Sequence, residues 1–218
     1  AYMRSIGDDM MPGELGWFGI WPKGKNTDGL QLDEIEYLMC KSLAWDAPIS
    51  LETSFSQMES HPLTPGLLEI VGAYERLRRA GAAPDSVRTA LREPGKDFLL
   101  MAPGAEERTP PRFAPAEPLA EVAGGRDVRG MLGAVDGAAV VSLWHSLGAA
   151  GRLVLAVDEP LRGRLAARRL DGASVALEGP AAAVQLPVDG RRTLLTLPGV
   201  SPAAARRFLA QARWEPQR

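Results

Sequence analysis

Along the early part of the chain the spacing of apolar residues switches between continuous, helical and alternating. "LGWFGIW", Leu15 to Trp21, is an unbroken apolar and aromatic run closed by Pro22 and the polar loop "KGKNTDG". Such a run predicts a short buried strand. Leu32, Ile35, Leu38, Met39, Ser42 and Trp45 then recur at helical spacing and predict a helix from about Leu30 to Asp46. A second strand is expected over Ala47 to Phe55, within "DAPISLETSF". Its side chains alternate: Ile49, Leu51 and Thr53 fall on one face, Ser50, Glu52 and Ser54 on the other. Thr64 and Pro65 read as an N-cap followed by a proline at the first helical position. Leu67, Ile70, Val71, Tyr74 and Leu77 supply the apolar stripe of that second helix, and Gly81 closes it.

Beyond residue ~95 the texture changes to Ala, Arg, Gly and Val with short alternating runs. "APGAEERTPPRFAPAEP", Ala102 to Pro118, holds prolines that argue against helix and reads as a domain boundary or the entry to a β domain. Strands are expected over Val140 to Leu147, Arg152 to Val157, Ser174 to Gly179, Ala182 to Val188 and Arg191 to Gly199. Asp-Gly pairs at Asp136, Asp171 and Asp189 mark turns between such runs. The pattern is that of an antiparallel β-sandwich, ending in a short helix from Ser201 and Pro202 to about Arg213.

Strand, helix, strand, helix implies parallel pairing with right-handed crossovers. A parallel strand buried on both faces should be apolar on both, and "PISLETS" is not. In a closed (β/α)8 barrel one strand face meets the helices and the other points inward. That places Ile49, Leu51 and Thr53 against helices, and Ser50, Glu52 and Ser54 inside, with Glu52 near the C-terminal end where barrel enzymes hold their reacting groups. The alternative for Glu52 is a salt bridge inside a barrel or a solvated strand end, and a one-residue slip would exchange the faces.

Bulk composition narrows the classes. The 218 residues are 45% hydrophobic and 24% charged, with a formal net charge of −2. That balance gives no electrostatic case for nucleic acid, and no apolar run approaches the ~20 residues of a membrane helix. One cysteine, Cys40, rules out an intramolecular disulfide and sits in a helical pattern as a small buried hydrophobe. The opening "AYMRSIGDDMMPGELGWFGI" has neither initiator Met nor signal-peptide core and reads as the interior of a folded region. The expectation is a piece of a longer protein, so its localisation is unknown from this stretch.

The phrases "GELGWFGIWP", "DEIEYLMCKSLAWDAPISLETS" and "AYERLRRAG", followed by "LPVDGRRTLLTLPG", resemble the C-terminal part of a (β/α)8-barrel glycoside hydrolase with an appended sandwich. The expected architecture is α/β plus all-β: an incomplete barrel of its last two β/α units over residues 1–95, then a β-sandwich over 96–218. Six barrel strands, and with them the second catalytic carboxylate, fall outside such a chain. The resemblance implies hydrolysis of an oligosaccharide or polysaccharide without a cofactor. Such chemistry uses two carboxyl groups, about 5–5.5 Å apart in retaining enzymes and about 6.5–9.5 Å apart in inverting ones.

Glu52 is the catalytic candidate. Asp8 and Asp9 form an adjacent pair, and Asp9 is a candidate substrate contact, against the alternative of a solvated loop or helix cap. Trp21 is expected to stack on a sugar, beside Lys23, Lys25 and Asn26, with Ser54 also facing substrate. Trp17 and Trp45 are expected in the core. His61 and His145 have no third ligand at useful spacing, so no metal site is expected. The competing class is a non-catalytic module binding carbohydrate through Trp144; in a third reading the sandwich is purely structural.

Overall fold

A computed structural model describes residues 13–102, 110–125, 127–180 and 182–217. The first predicted helix is observed as α1, Leu32–Trp45, and buries Leu32, Ile35, Met39 and Leu43. Gln31 and Glu34 form a reciprocal capping box at its start. It ends at Asp46, whose φ of 53° is left-handed, a conformation that aspartate tolerates better than most residues. The expected parallel strands shrink to β1, Trp17–Phe18, and β2, Ser50–Leu51, paired in parallel with Trp17 opposite Ser50. Flanking hydrogen bonds lengthen the contact: Leu15 N donates to Pro48 O at 2.8 Å and Glu52 N to Phe18 O at 2.9 Å.

Phe55, expected to end the second strand, instead starts helix α2, Phe55–Ser60. Ser54 caps that helix, its hydroxyl accepting from Gln57 N. The Ser-x-x-Gln spacing overrides the strand alternation. The next helix, α3 (Thr64–Arg79), is the one expected, but Leu63 rather than Thr64 is its N-cap. Thr64 Oγ1 instead donates to Met58 O at 2.7 Å. At the far end Gly81 N bonds Arg78 O and Ala82 N bonds Leu77 O, with Gly81 at φ +59°. That is the Schellman arrangement that favours glycine. Helix α4, Asp85–Leu91, was not anticipated.

The remaining strands are β3 (Asp97–Ala102), β4 (Arg112–Pro118), β5 (Val128–Val135), β6 (Ala138–His145), β7 (Gly151–Ala156), β8 (Ala166–Arg169), β9 (Ser174–Val175), β10 (Ala183–Val188), β11 (Thr193–Pro198) and β12 (Arg213–Pro216). A short helix α5, Glu159–Arg162, follows β7, and α6, Pro202–Ala210, follows β11. Seven strands form one antiparallel sheet in the order β3-β4-β5-β6-β11-β8-β9, and three form another, β10-β7-β12.

The proline-rich segment expected as a domain boundary or the entry to a β domain carries strand β4. Pro115 pairs with Phe98 of β3, while the ladder to β5 begins one residue later at Ala116, so no donor is required of Pro115 on that side. Gly133 of β5 lies so close that an added Cβ would stand 2.7 Å from Pro115 O. The Asp136-Gly137 turn joins β5 to β6 with φ of 49° and 74°, a type I′ hairpin as its residues predict. Asp189-Gly190 lies in the turn expected there and joins β10 to β11, which belong to different sheets, so it makes a crossover.

The large sheet is covered on both faces. Leu132, Val141, Leu143, Leu195 and Leu197 face the small sheet, meeting Leu153, Leu155, Val184 and Leu186 in one core with Leu209 of α6. Their neighbours Met131, Trp144 and Leu194 point the other way, into a second core with α1, α3 and Leu91 of α4. Two-sided burial is why β6 reads "AAVVSLWH" with little alternation. Among the described residues parallel pairing is confined to β1 and β2.

Candidate functional site

Two concave or open features carry polar chemistry. The first is the outer face of the β1–β2 pair. Ile49 and Leu51 pack against the helical core, as expected, while Ser50 and Glu52 are exposed. Trp17, opposite Ser50, is 72% exposed, which corrects its expected place in the core. The strand is too short to be covered on both sides, so the alternation that leaves Phe18 half-buried turns Trp17 outward. Trp21 is 53% exposed. Its indole lies over Gly19, where an added Cβ would stand 2.2 Å from Cε2. Glycine is thus required for the ring to lie flat against the backbone. Because Phe18 O receives Glu52 N, the next position, Gly19, neighbours Glu52. The face accordingly presents Trp17, Trp21, Ser50 and Glu52 together. Phe55, 85% exposed at the start of α2, adds a further ring close by in the chain.

The other expected contacts are more dispersed. Lys23, Lys25 and Asn26 are exposed in the loop after Trp21, where Gly24 and Thr27 bridge the turn. Ser54 spends its hydroxyl on capping α2. Asp9, with Asp8, lies outside the described residues. Trp45 is half-buried beneath the Arg92 guanidinium, 4.5 Å from its ring centre.

The second feature is a cavity of about 790 Å³ between the loop carrying Lys23 and Asp28 and residues 118–125 and 127–130. Asp33, Glu121, Asp127, Arg129 and Trp144 also line it. Burial pushes the Asp33 carboxyl up, with the nearby Glu34 adding to the effect and Arg129 opposing it. Nothing in the residue spacing foretells this site, because its two walls are about a hundred residues apart in sequence: Arg129 pairs with Asp28 at 2.6 Å.

A buried polar cluster connects helices to sheet. Glu36 Oε1 accepts from Arg192 Nη1 at 2.5 Å, Leu100 N at 2.9 Å and Tyr74 OH at 3.0 Å. Cys40 Sγ lies 3.3 Å from Tyr74 OH. Burial, reinforced by Glu36, pushes the Cys40 thiol up to about 12, so it is neither nucleophile nor ligand at neutral pH. The cluster is enclosed and structural. Trp144 is likewise enclosed at 1% exposure, its Nε1 donating to Gln31 Oε1 at 3.1 Å. It offers no stacking face, which corrects the reading of the sheets as a module binding sugar through this residue.

His61 and His145 are buried, and neither belongs to a metal cluster: among the described residues no group of three or more His, Cys, Asp or Glu is placed to hold an ion. Nε2 of His61 meets Leu30 O at 2.9 Å while Nδ1 accepts from Leu63 N at 3.2 Å. Nδ1 of His145 accepts from Leu147 N and Ala149 N. Protonation would set N–H against N–H at both rings, and burial holds both histidines below their ordinary range. The folded state therefore takes up fewer protons than the unfolded chain. Its stability from these rings is complete above about pH 6.5 and falls as pH drops through the lowered folded values. The urea midpoint is expected to fall between pH 7.5 and pH 5, and the fall to be shallower in His61→Gln. An identical pH slope in that variant would show that His61 does not contribute.

No helix among the described residues is long and apolar enough to cross a membrane. No family model matches the chain, and no curated protein matches it. Among solved structures, an Anoxybacillus α-amylase overlaps 92% of this chain and 41% of its own, at 10% identity and a TM-score of 0.31. A Geobacillus stearothermophilus GH27 β-L-arabinopyranosidase overlaps 79% of this chain and 32% of its own, at 13% identity and 0.28. A Thermotoga maritima α-L-fucosynthase overlaps 83% and 38%, at 13% and 0.24. The chain thus spans about two fifths or less of each of these proteins, and likeness at such scores assigns no family.

Proposed function

We propose that this chain forms part of a carbohydrate-active enzyme that hydrolyses glycosidic bonds. In this reading residues 1–95 are the last two β/α units of a barrel completed by chain outside this sequence, and residues 96–218 are the appended β-sandwich. The observation that carries the proposal is the open face of the β1–β2 pair, which presents exposed Glu52 together with the exposed indoles of Trp17 and Trp21. An apolar ring face suits the C–H face of a sugar, and a carboxylate beside it is positioned to act as acid, base or nucleophile. Lys23 and Asn26 follow in the adjoining loop as substrate contacts, and the second carboxylate belongs to the remaining strands.

A second reading is a non-catalytic carbohydrate-binding surface, favoured by the exposure of Trp17 and Glu52 to open solvent. Hydrolysis of aryl glycosides and polysaccharides by the longer parent protein separates the two. Glu52→Gln is expected to lower kcat by about 10²–10⁴-fold with KM little changed. Trp21→Ala is expected to raise KM by roughly tenfold while sparing kcat. Turnover that survives Glu52→Gln removes Glu52 from the chemistry. Saccharide binding by a parent with no turnover on any substrate would establish the binding reading instead.

A further inference from the structure

The 790 Å³ cavity lies in the size range of small-molecule sites, yet its lining is unusually charged. One wall is the loop from Lys23 to Asp28 with Asp33 of α1; the other is formed by Glu121 to Gly125 and Asp127 to Arg129. The Asp28–Arg129 ion pair ties the walls together. Asp33 is half-buried, with Oδ1 shut away from solvent and without a hydrogen-bond partner among the described residues.

The rim is also strained. Ala123 and Gly124 hold φ of 55° and 61° in a tight turn closed by Gly125 N to Val122 O at 3.1 Å. The comparable Asp136-Gly137 turn uses an aspartate at its first left-handed position, whereas alanine bears the steric cost of about 1–2 kcal/mol without compensation. Strain of this kind persists where the surroundings over-determine the backbone, and it gathers at ligand clamps. Ala123 N donates to Leu209 O of α6, which pins the turn in place.

We propose that this cavity binds a hydroxyl-rich ligand, a short saccharide, at a site separate from the Glu52 face. The argument is the mixture of partners. Asp33, Glu121 and Asp127 only accept when ionised, while Lys23 and Arg129 only donate. A phosphate would want donors throughout, and an amine acceptors throughout. Hydroxyl groups both donate and accept, so a polyol satisfies both sets at once. The choice of a sugar among polyols rests on the carbohydrate reading above. Lys23 lies two residues after Trp21, so a chain bound on the open face and a chain bound in the cavity would both meet the start of this loop.

The test is calorimetric titration of the 218-residue chain with maltotriose, cellotriose and xylotriose. At least one is expected to bind, with affinity reduced about tenfold or more by Asp33→Leu and by Arg129→Ala. Arg129 is at the surface, so its variant keeps the test valid should Asp33→Leu fail to fold. Affinity lost in Trp21→Ala but intact in both cavity variants overturns the cavity site and leaves the open-face reading standing. Binding that follows the cavity variants, in a parent without turnover, supports the cavity site and overturns hydrolysis. Failure of all three sugars to bind overturns the cavity proposal.

Discussion

Replacing Arg192 with alanine is expected to lower the free energy of unfolding by about 3–5 kcal/mol, among the largest effects of any single substitution in this chain. The guanidinium is 2% exposed and lies immediately before β11. One arm donates to Glu36 of α1 at 2.5 Å and the other to Leu100 O of β3 at 2.6 Å. Removing it strands the Glu36 carboxylate in the interface between helices and sheet. Burial already pushes that carboxyl up, against the pull of Arg192, Leu100 N and Tyr74; without Arg192 it rises further. A raised folded value means that stability is retained in acid and lost as pH rises through it. The defect should therefore be larger at pH 8 than at pH 5, which urea unfolding at the two pH values would read directly. The double replacement Glu36→Leu with Arg192→Met is expected to restore most of the loss, because no charge is left unpaired. If the double variant is as unstable as the single one, packing rather than charge determines the effect.

Trp144→Ala is expected to cost a comparable amount, about 3–5 kcal/mol. The indole fills the helix-facing side of β6 and is held by Gln31, whose own amide donates to Asp28 O and Gly29 O. One side chain thus joins the large sheet, the start of α1 and the loop that walls the cavity. Trp144→Phe retains most of the packing and loses the indole bond, so its cost should be nearer 1 kcal/mol. Thermal and urea unfolding of both variants checks the ordering. A Trp144→Ala protein as stable as the parent would mean that the helical layer does not depend on this contact.

The site was legible only in part, and the reason is visible in particular residues. Glu52 and Ser50 fall on the outer face as their alternation requires, since period two is a property of the strand itself. Trp17 was misjudged because hydrophobicity says how strongly a side chain avoids water, not whether anything arrives to cover it. Phe55 was assigned to the strand although Ser54 and Gln57 carry a capping box, a local signal that was present and outweighed by the apolar pattern. The cavity had no signal of that kind. Lys23 was singled out for its place after Trp21, but its neighbours Glu121 and Arg129 come from a distant loop.

By itself the sequence determined α1 and α3, the glycine that closes α3, the turn at Asp136-Gly137, and the strands β6, β7, β10 and β11. Each depends on residues within a few positions of one another: stripes at three and four, a glycine that accepts a left-handed φ, an Asp-Gly pair. Only the tertiary structure decided that β3 and β4 join the large sheet, that both of its faces are covered, and that Glu36 meets a partner 156 positions away. Those outcomes depend on which apolar surfaces meet after collapse. Burial energy is set by area and is nearly blind to order along the chain, so no local pattern records it.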